Sequence, residues 1–142
     1  MIELSVKTGE GIDLLKQAVK ERGVQVQLMM DDDVILGNTE VPGATKFYKD
    51  NLAPKKSGLD IRFVRTNEDA KQMMHSKFLI LDGVGKKGVK RVFSGAGHFT
   101  YAAMKGNYEN FYLSAVPSLT QKYEQLHKYM WTNAVSEKDL EE

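Results

Sequence analysis

Apolar and polar positions alternate over residues 2–6 (Ile2-Glu3-Leu4-Ser5-Val6), the two-residue repeat of a short strand. Turn residues Lys7-Thr8-Gly9-Glu10-Gly11 follow. Ile12, Leu14, Leu15, Ala18 and Val19 then recur at three- and four-residue steps, predicting a helix that runs to about Arg22 and stops at Gly23. Residues 24–30 are rich in β-branched and bulky side chains and predict a strand that ends abruptly in Asp31-Asp32-Asp33. A loop marked by Gly37, Asn38, Pro42 and Gly43 leads to a second, shorter helix through Phe47, Tyr48 and Leu52. Pro54 and Gly58 end it, and residues 59–64 read as another strand.

Residues 73–82 form the longest strand candidate, in which Phe78-Leu79-Ile80-Leu81 has the pattern of a segment buried on both faces. A glycine- and lysine-rich turn over 83–88 separates it from a strand at 90–94. Residues 99–105 suit a short helix after Gly95-Ala96-Gly97, and 111–113 the last strand. Pro117 opens a closing helix that carries Leu119, Tyr123, Leu126, Tyr129, Met130 and Trp131. Helices interleaved with strands imply an α/β fold, one mixed β-sheet flanked by helices in an α/β/α sandwich. The expected layout is a single domain over residues 1–135 and a charged tail over 136–142 that frays.

Composition narrows the classes without choosing among enzymes. With 142 residues, 42% of them apolar, the chain suits one domain with a real core. No apolar run approaches the roughly 20 residues that cross a bilayer. Met1-Ile2-Glu3-Leu4-Ser5 lacks the basic start and apolar stretch of a signal peptide. The absence of cysteine excludes disulfides, thiolate zinc sites and a cysteine nucleophile. Twenty basic against nineteen acidic residues leave a net charge of +1, so bulk charge selects no polyanionic partner.

Three motifs invite chemistry and are better read as structure. Gly83-Val84-Gly85-Lys86-Lys87-Gly88 has the glycine spacing of a dinucleotide-binding loop, but such a loop must open a helix, and Val89-Lys90-Arg91-Val92-Phe93 reads as a strand. A hairpin turn fits better. Ser5-Val6-Lys7-Thr8-Gly9-Glu10-Gly11-Ile12 resembles the guanine-contacting loop of small GTPases, yet no upstream phosphate-cradling loop ending in Gly-Lys-Ser/Thr accompanies it. The triple aspartate suits a hard cation, but with no acidic residue or histidine clustered beside it a solvated strand terminus is the simpler reading.

His75-Ser76-Lys77 is different. Residues two apart on a strand project from one face, so an imidazole and an ammonium would meet there, with Asp82 following at the strand end. The apolar flanks Met73, Met74 and Phe78 to Leu81 would draw this segment into the core. A cation is costly there unless an anion or a function meets it.

His75, Lys77 and Asp82 match the His-x-Lys-x4-Asp signature of the phospholipase D superfamily, which the sequence resembles. Ser94-Gly95-Ala96-Gly97-His98-Phe99-Thr100-Tyr101 is similar to that family's Gly-Ser-x-Asn-Phe/Trp-Thr segment, and Asn107-Tyr108-Glu109-Asn110 to its Asn-x-Glu-Asn/Thr segment. The resemblance implies phosphodiester transfer without metal or cofactor. His75 would attack phosphorus to form a phosphohistidine, and Lys77, Gly95 and His98 would hold the phosphoryl oxygens. Glu109 would fix the tautomer of the histidine, and Asp82 would complete the catalytic set as structural support at the strand end.

Two positions depart from the pattern: Ala96 stands where the family has serine, and His98 where it has asparagine. The chain also carries one motif set where the family's active site uses two. Either two copies pair as a homodimer, or a second catalytic half completes the site. The implied activity is hydrolysis or transfer of phospholipid phosphodiesters. A single-motif endonuclease acting on DNA or RNA is the alternative, with Lys86, Lys87, Lys90 and Arg91 near backbone phosphates. A third reading is an impaired domain that binds or dimerises without turnover.

Overall fold

Helix α1 (Gly9–Arg22) turns Ile12 and Ala18 inward and packs Leu15 and Val19 at the margin of the same core, while Leu14 stays in solvent. Leu14 lies two residues, about 200° of helical rotation, from Ile12, which carries it to the opposite face. Gly23, at φ +65°, ends the helix with its amide on the Val19 carbonyl. The computed structural model describes residues 9–37, 42–66, 74–84, 88–97, 106 and 108–140. The strand expected over 2–6 and the helix expected over 99–105 lie outside the described residues.

Strand β1 (Gln27–Asp31) pairs in parallel with β2 (Asp60–Val64), Gln27 opposite Asp60 and Asp31 opposite Val64. Leu28, Met29 and Met30 are all buried, as a parallel strand covered on both faces requires. The crossover between the two strands holds α2 (Asp33–Leu36), α3 (Ala44–Phe47), a π-helical turn (Tyr48–Leu52) and α4 (Pro54–Ser57). The helix expected through Phe47 and Leu52 is present, α-type to Phe47 and π-type from Tyr48, and it ends where Pro54 is expected to end it. Ala53 adopts an extended conformation (φ −42°, ψ 134°) because the ring of Pro54 disfavours the helical region for the residue before it.

The core centres on this crossover. Ile12, Tyr48, Leu52 and Phe63 are almost fully enclosed, and the rings of Tyr48 and Phe63 meet edge to face at 5.4 Å. Residues 136–140, expected to fray, close this core from outside. Val135 exchanges two backbone hydrogen bonds with Phe63, the Tyr48 hydroxyl donates to Glu137 at 2.9 Å, Arg65 donates to the Asp139 carbonyl at 2.8 Å, and Leu140 packs on the cluster. One leucine among charges is enough to anchor the segment. Burial, reinforced by Glu137, pushes the Tyr48 phenol well above its ordinary pKa.

Strands β3 (Phe78–Val84), β4 (Val89–Gly95) and β5 (Phe111–Ser114) form an antiparallel meander in the order β3-β4-β5. The turn between β3 and β4 leads into a strand, as a hairpin does, and not into a helix. Phe78 to Leu81 are half-buried rather than enclosed on both faces, because β3 is an edge strand of this ladder. Helix α5 (Pro117–Asn133) spans the two ladders: Phe78 packs edge to face on Tyr123, and Arg62 of β2 lies 4.6 Å over the Trp131 ring while donating to the Trp131 carbonyl. Parallel and antiparallel pairing with flanking helices is the expected α/β class. Among the described residues the pairing falls into two ladders rather than one, and β1 and β3 line a common space of about 620 Å³ together with His127 and Trp131. No described helix is long and apolar enough to cross a membrane.

Phe63→Ala empties the centre of this core and should cost about 3–5 kcal/mol. Tyr48→Phe keeps the ring and loses only the bond to Glu137, so it should cost about 1–2 kcal/mol. Urea denaturation of both variants measures the difference.

Candidate functional site

The meander register determines which residues meet. Phe78 opposes Ser94, and Ser94 opposes Tyr112, so the start of β3, the end of β4 and the start of β5 lie side by side. Lys77, Gly95 to Gly97 and Glu109 therefore gather at one end of the ladder.

His75 and Lys77 stand just before β3 rather than on it. The ladder begins at Phe78, and the Lys77 carbonyl accepts instead from the Ser94 hydroxyl at 2.9 Å. The two side chains differ in exposure: His75 is exposed, and Lys77 is 5% exposed. The Lys77 ammonium turns back to donate to the His75 carbonyl at 3.0 Å. It thus forms the floor beneath the histidine. Ser94 is in turn within 3.4 Å of the Tyr123 hydroxyl, which is bonded to that of Tyr112, so α5 and β5 both buttress this floor.

Gly95 and Gly97 are demanded by close approach. A Cβ at Gly95 would lie 2.2 Å from the Asn110 carbonyl, and one at Gly97 would lie 2.7 Å from the Glu109 Oε2. The bare backbone of Gly97 lets the Glu109 carboxylate lie against it. The Ala96 amide donates to the Asn110 carbonyl at 3.2 Å, sealing the corner. His98 lies outside the described residues.

Asp82 does not join this cluster. Four strand residues lie between it and Lys77, five steps and roughly 16 Å at the usual rise. Its carboxylate is exposed and 3.7 Å from the ammonium of Lys90, which also pairs with Glu124. The bond from Glu124 holds the Lys90 ammonium above its ordinary pKa.

The triple aspartate is not a solvated terminus. Asp32 is buried, and its Oδ1 accepts from the amide and hydroxyl of Thr66 at 3.1 and 2.8 Å. Asp31 accepts from the Asp33 amide and the Thr66 hydroxyl through Oδ1, and from the Met74 amide through Oδ2. Chain segments that end nearby left amides to satisfy, and carboxylates at the end of β1 satisfy them. The three carboxylates offer oxygens within 4.8 Å of one another, the spacing of a cation site, although Asp31 and Asp32 are already engaged by these donors. Thr66 was invisible as a site support in the sequence, having no motif to mark it.

The family model described as cardiolipin synthase, PLD-like domain, matches residues 2–131. Among solved structures, NucT from Helicobacter pylori is similar with a TM-score of 0.66 and 19% identity, over 91% of this chain and 76% of that one. The phospholipase D family member Nuc from Salmonella typhimurium is similar with a TM-score of 0.60 and 25% identity, over 89% of this chain and 72% of that one. A comparison with curated proteins finds no match.

Gly95→Ala should part the ends of β4 and β5, because its Cβ meets the Asn110 carbonyl and the Phe111 Cα, backbone that cannot swing aside. Hydrogen exchange at the Ala96 amide should accelerate while the amides of β1 and β2 keep their protection.

Proposed function

This chain belongs to the phospholipase D superfamily, within the PLD-like domain family, and on that premise we propose that it cleaves phospholipid phosphodiesters with His75 as nucleophile. The family is one of phosphodiesterases, and the observation that carries the finer reading is the enclosed Lys77 beneath the exposed His75. A carbonyl oxygen offsets only part of the cost of burying an ammonium. A phosphate seated over His75 supplies the missing charge, and an ammonium has three protons to share between carbonyl and phosphoryl oxygens.

In the proposed mechanism a ring nitrogen of His75 attacks phosphorus, a P–N bond forms, and the P–O bond to the leaving alcohol breaks. A general acid gives that alcohol its proton. Water then attacks the phosphohistidine, surrenders a proton to the same group, and frees His75. Lys77 stabilises the charge on the phosphoryl oxygens throughout. Glu109, pressed on Gly97, orients the imidazole by accepting from its other nitrogen. The general acid is a second histidine, from another copy of the chain or from a second catalytic half. Exposed Tyr108, Tyr112 and Leu113 flank the site and offer apolar surface for that partner to cover.

The matched family's description favours lipid, and the pairing of Lys90 with Glu124 and Asp82 leaves that cation already matched. The single motif set favours the second reading, an endonuclease acting on DNA or RNA as a homodimer. Parallel assays on phospholipid vesicles and single-stranded DNA decide between them. Failure on both, and on bis-p-nitrophenyl phosphate, would leave a binding or dimerisation domain, a reading that Ala96 in place of the family serine supports.

His75→Asn should abolish turnover in a folded protein, and wild-type turnover should persist in EDTA. A folded His75 variant that still turns over would end this assignment. Glu109→Gln should lose about 10- to 100-fold, as neutralising an orienting partner commonly does. Gly97→Ala should match it, since its Cβ displaces the Glu109 carboxylate.

A further inference from the structure

The segment bearing His75 lies just ahead of its ladder. Among the described residues the β3 ladder starts only at Phe78, so residues 74–77 approach it without strand pairing. Two side chains tie its backbone at either end. At the far end the Ser94 hydroxyl holds the Lys77 carbonyl. At the near end Asp31 Oδ2 accepts the Met74 amide at 2.8 Å, one residue before the histidine.

We propose that Asp31 is a positioning residue, whose carboxylate fixes the backbone at Met74 and thereby sets where His75 stands against phosphorus. This role rests on the reading of His75 as nucleophile.

The carboxylate is itself immobilised. Asp31 is the last residue of β1, paired with Val64, and its Oδ1 accepts from the Asp33 amide at 3.1 Å and the Thr66 hydroxyl at 3.3 Å. Asp32 grips the same Thr66 through amide and hydroxyl. The ends of β1 and β2 are thus knotted together, and one free carboxylate oxygen reaches from the knot to the segment before the histidine. An ionised carboxylate is acceptor-only on both oxygens, which is what two opposed sets of N–H and O–H donors require. Asparagine would turn an NH2 group toward one of them. Glutamate is a methylene too long to serve both at once. The residue type and its place are therefore specified by what it holds.

The test uses the full chain with Asp31→Ala, Asp31→Asn and Thr66→Val, and Ile61→Val as a control that loosens the core without touching the tie. Kinetics on bis-p-nitrophenyl phosphate are read beside hydrogen exchange at the Met74 amide and ¹⁵N relaxation of the His75 backbone. Misplacing a reacting group by about an ångström costs on the order of 100-fold. Asp31→Ala should accordingly lose about 10- to 100-fold in kcat with KM unchanged, while Met74 exchange accelerates and His75 becomes more mobile. Asp31→Asn and Thr66→Val should fall between it and wild type, and Ile61→Val should lower Tm with kcat intact. If Asp31→Ala does not fold, the asparagine and valine variants carry the same comparison.

Wild-type kcat in a folded Asp31→Ala protein overturns the proposal, as does a loss expressed in KM alone or an unchanged Met74 exchange rate. A wild-type chain inactive on every phosphodiester would overturn the functional reading instead. The exchange and relaxation measurements would then still judge the tie itself.

Discussion

Everything at the candidate site depends on the register that sets Phe78 opposite Ser94 and Ser94 opposite Tyr112. Side chains alternate faces along a strand, so a slip of one residue would exchange the face of every partner. The Ser94 hydroxyl guards against that slip. It bonds the Lys77 carbonyl one residue beyond the ladder, and it touches Tyr123 of α5, which no shifted register could offer it. Packing of the two phenylalanines of β4 and β5, Phe93 and Phe111, stacked at 5.3 Å, secures the same pairing from the side.

Buried polar groups in this chain are concentrated where strands end. Asp32, Lys77 and Ser94 are all enclosed, and each holds backbone that has left its ladder. A buried amide or carbonyl without a partner costs more than the bond that satisfies it yields, so such positions tolerate few residue types. Ser57 shows the same economy at a helix end, bonding the Leu52 carbonyl and receiving the Leu59 amide. The histidine-bearing segment lies between two of these knots. That gives an exposed side chain a fixed base, the condition for a nucleophile to meet its target repeatedly in one geometry.

The two ends of the meander divide labour. One end carries His75, Lys77, Gly95 and Glu109, with glycines that let a carboxylate and a carbonyl approach to distances no Cβ would permit. The other end carries Asp82 and Lys90 in a solvent-exposed charge pair with Glu124, which fastens the hairpin to α5. Exposed pairs of this kind contribute little to stability. Their effect is to match charge on a hairpin that the sequence makes look basic.

Much of this was legible in the sequence. Helical periodicity placed α1 and α5, β-branched runs placed the strands, and the ordered triplet of His75-x-Lys77, Gly95-Ala96-Gly97 and Glu109 marked the site and its family. Those signals are local, and a motif survives whatever the chain does between its parts. The sequence misjudged features that depend on what comes alongside. The strand through His75 begins only where β4 arrives to pair with it. The helix through Phe47 changes to π-type bonding at Tyr48, which no local signal marks. The charged tail docks because Phe63, Tyr48 and Arg65 bond to it and Leu140 packs on the core. The aspartates read as solvated because amides that need acceptors, at Thr66 and Met74, are more than thirty residues away. By itself the sequence named the groups proposed to carry the chemistry, since that is a matter of residue type and spacing. The tertiary structure alone decided what holds them, because a hydrogen-bond acceptor is chosen by whichever donor the folded chain brings within 3 Å.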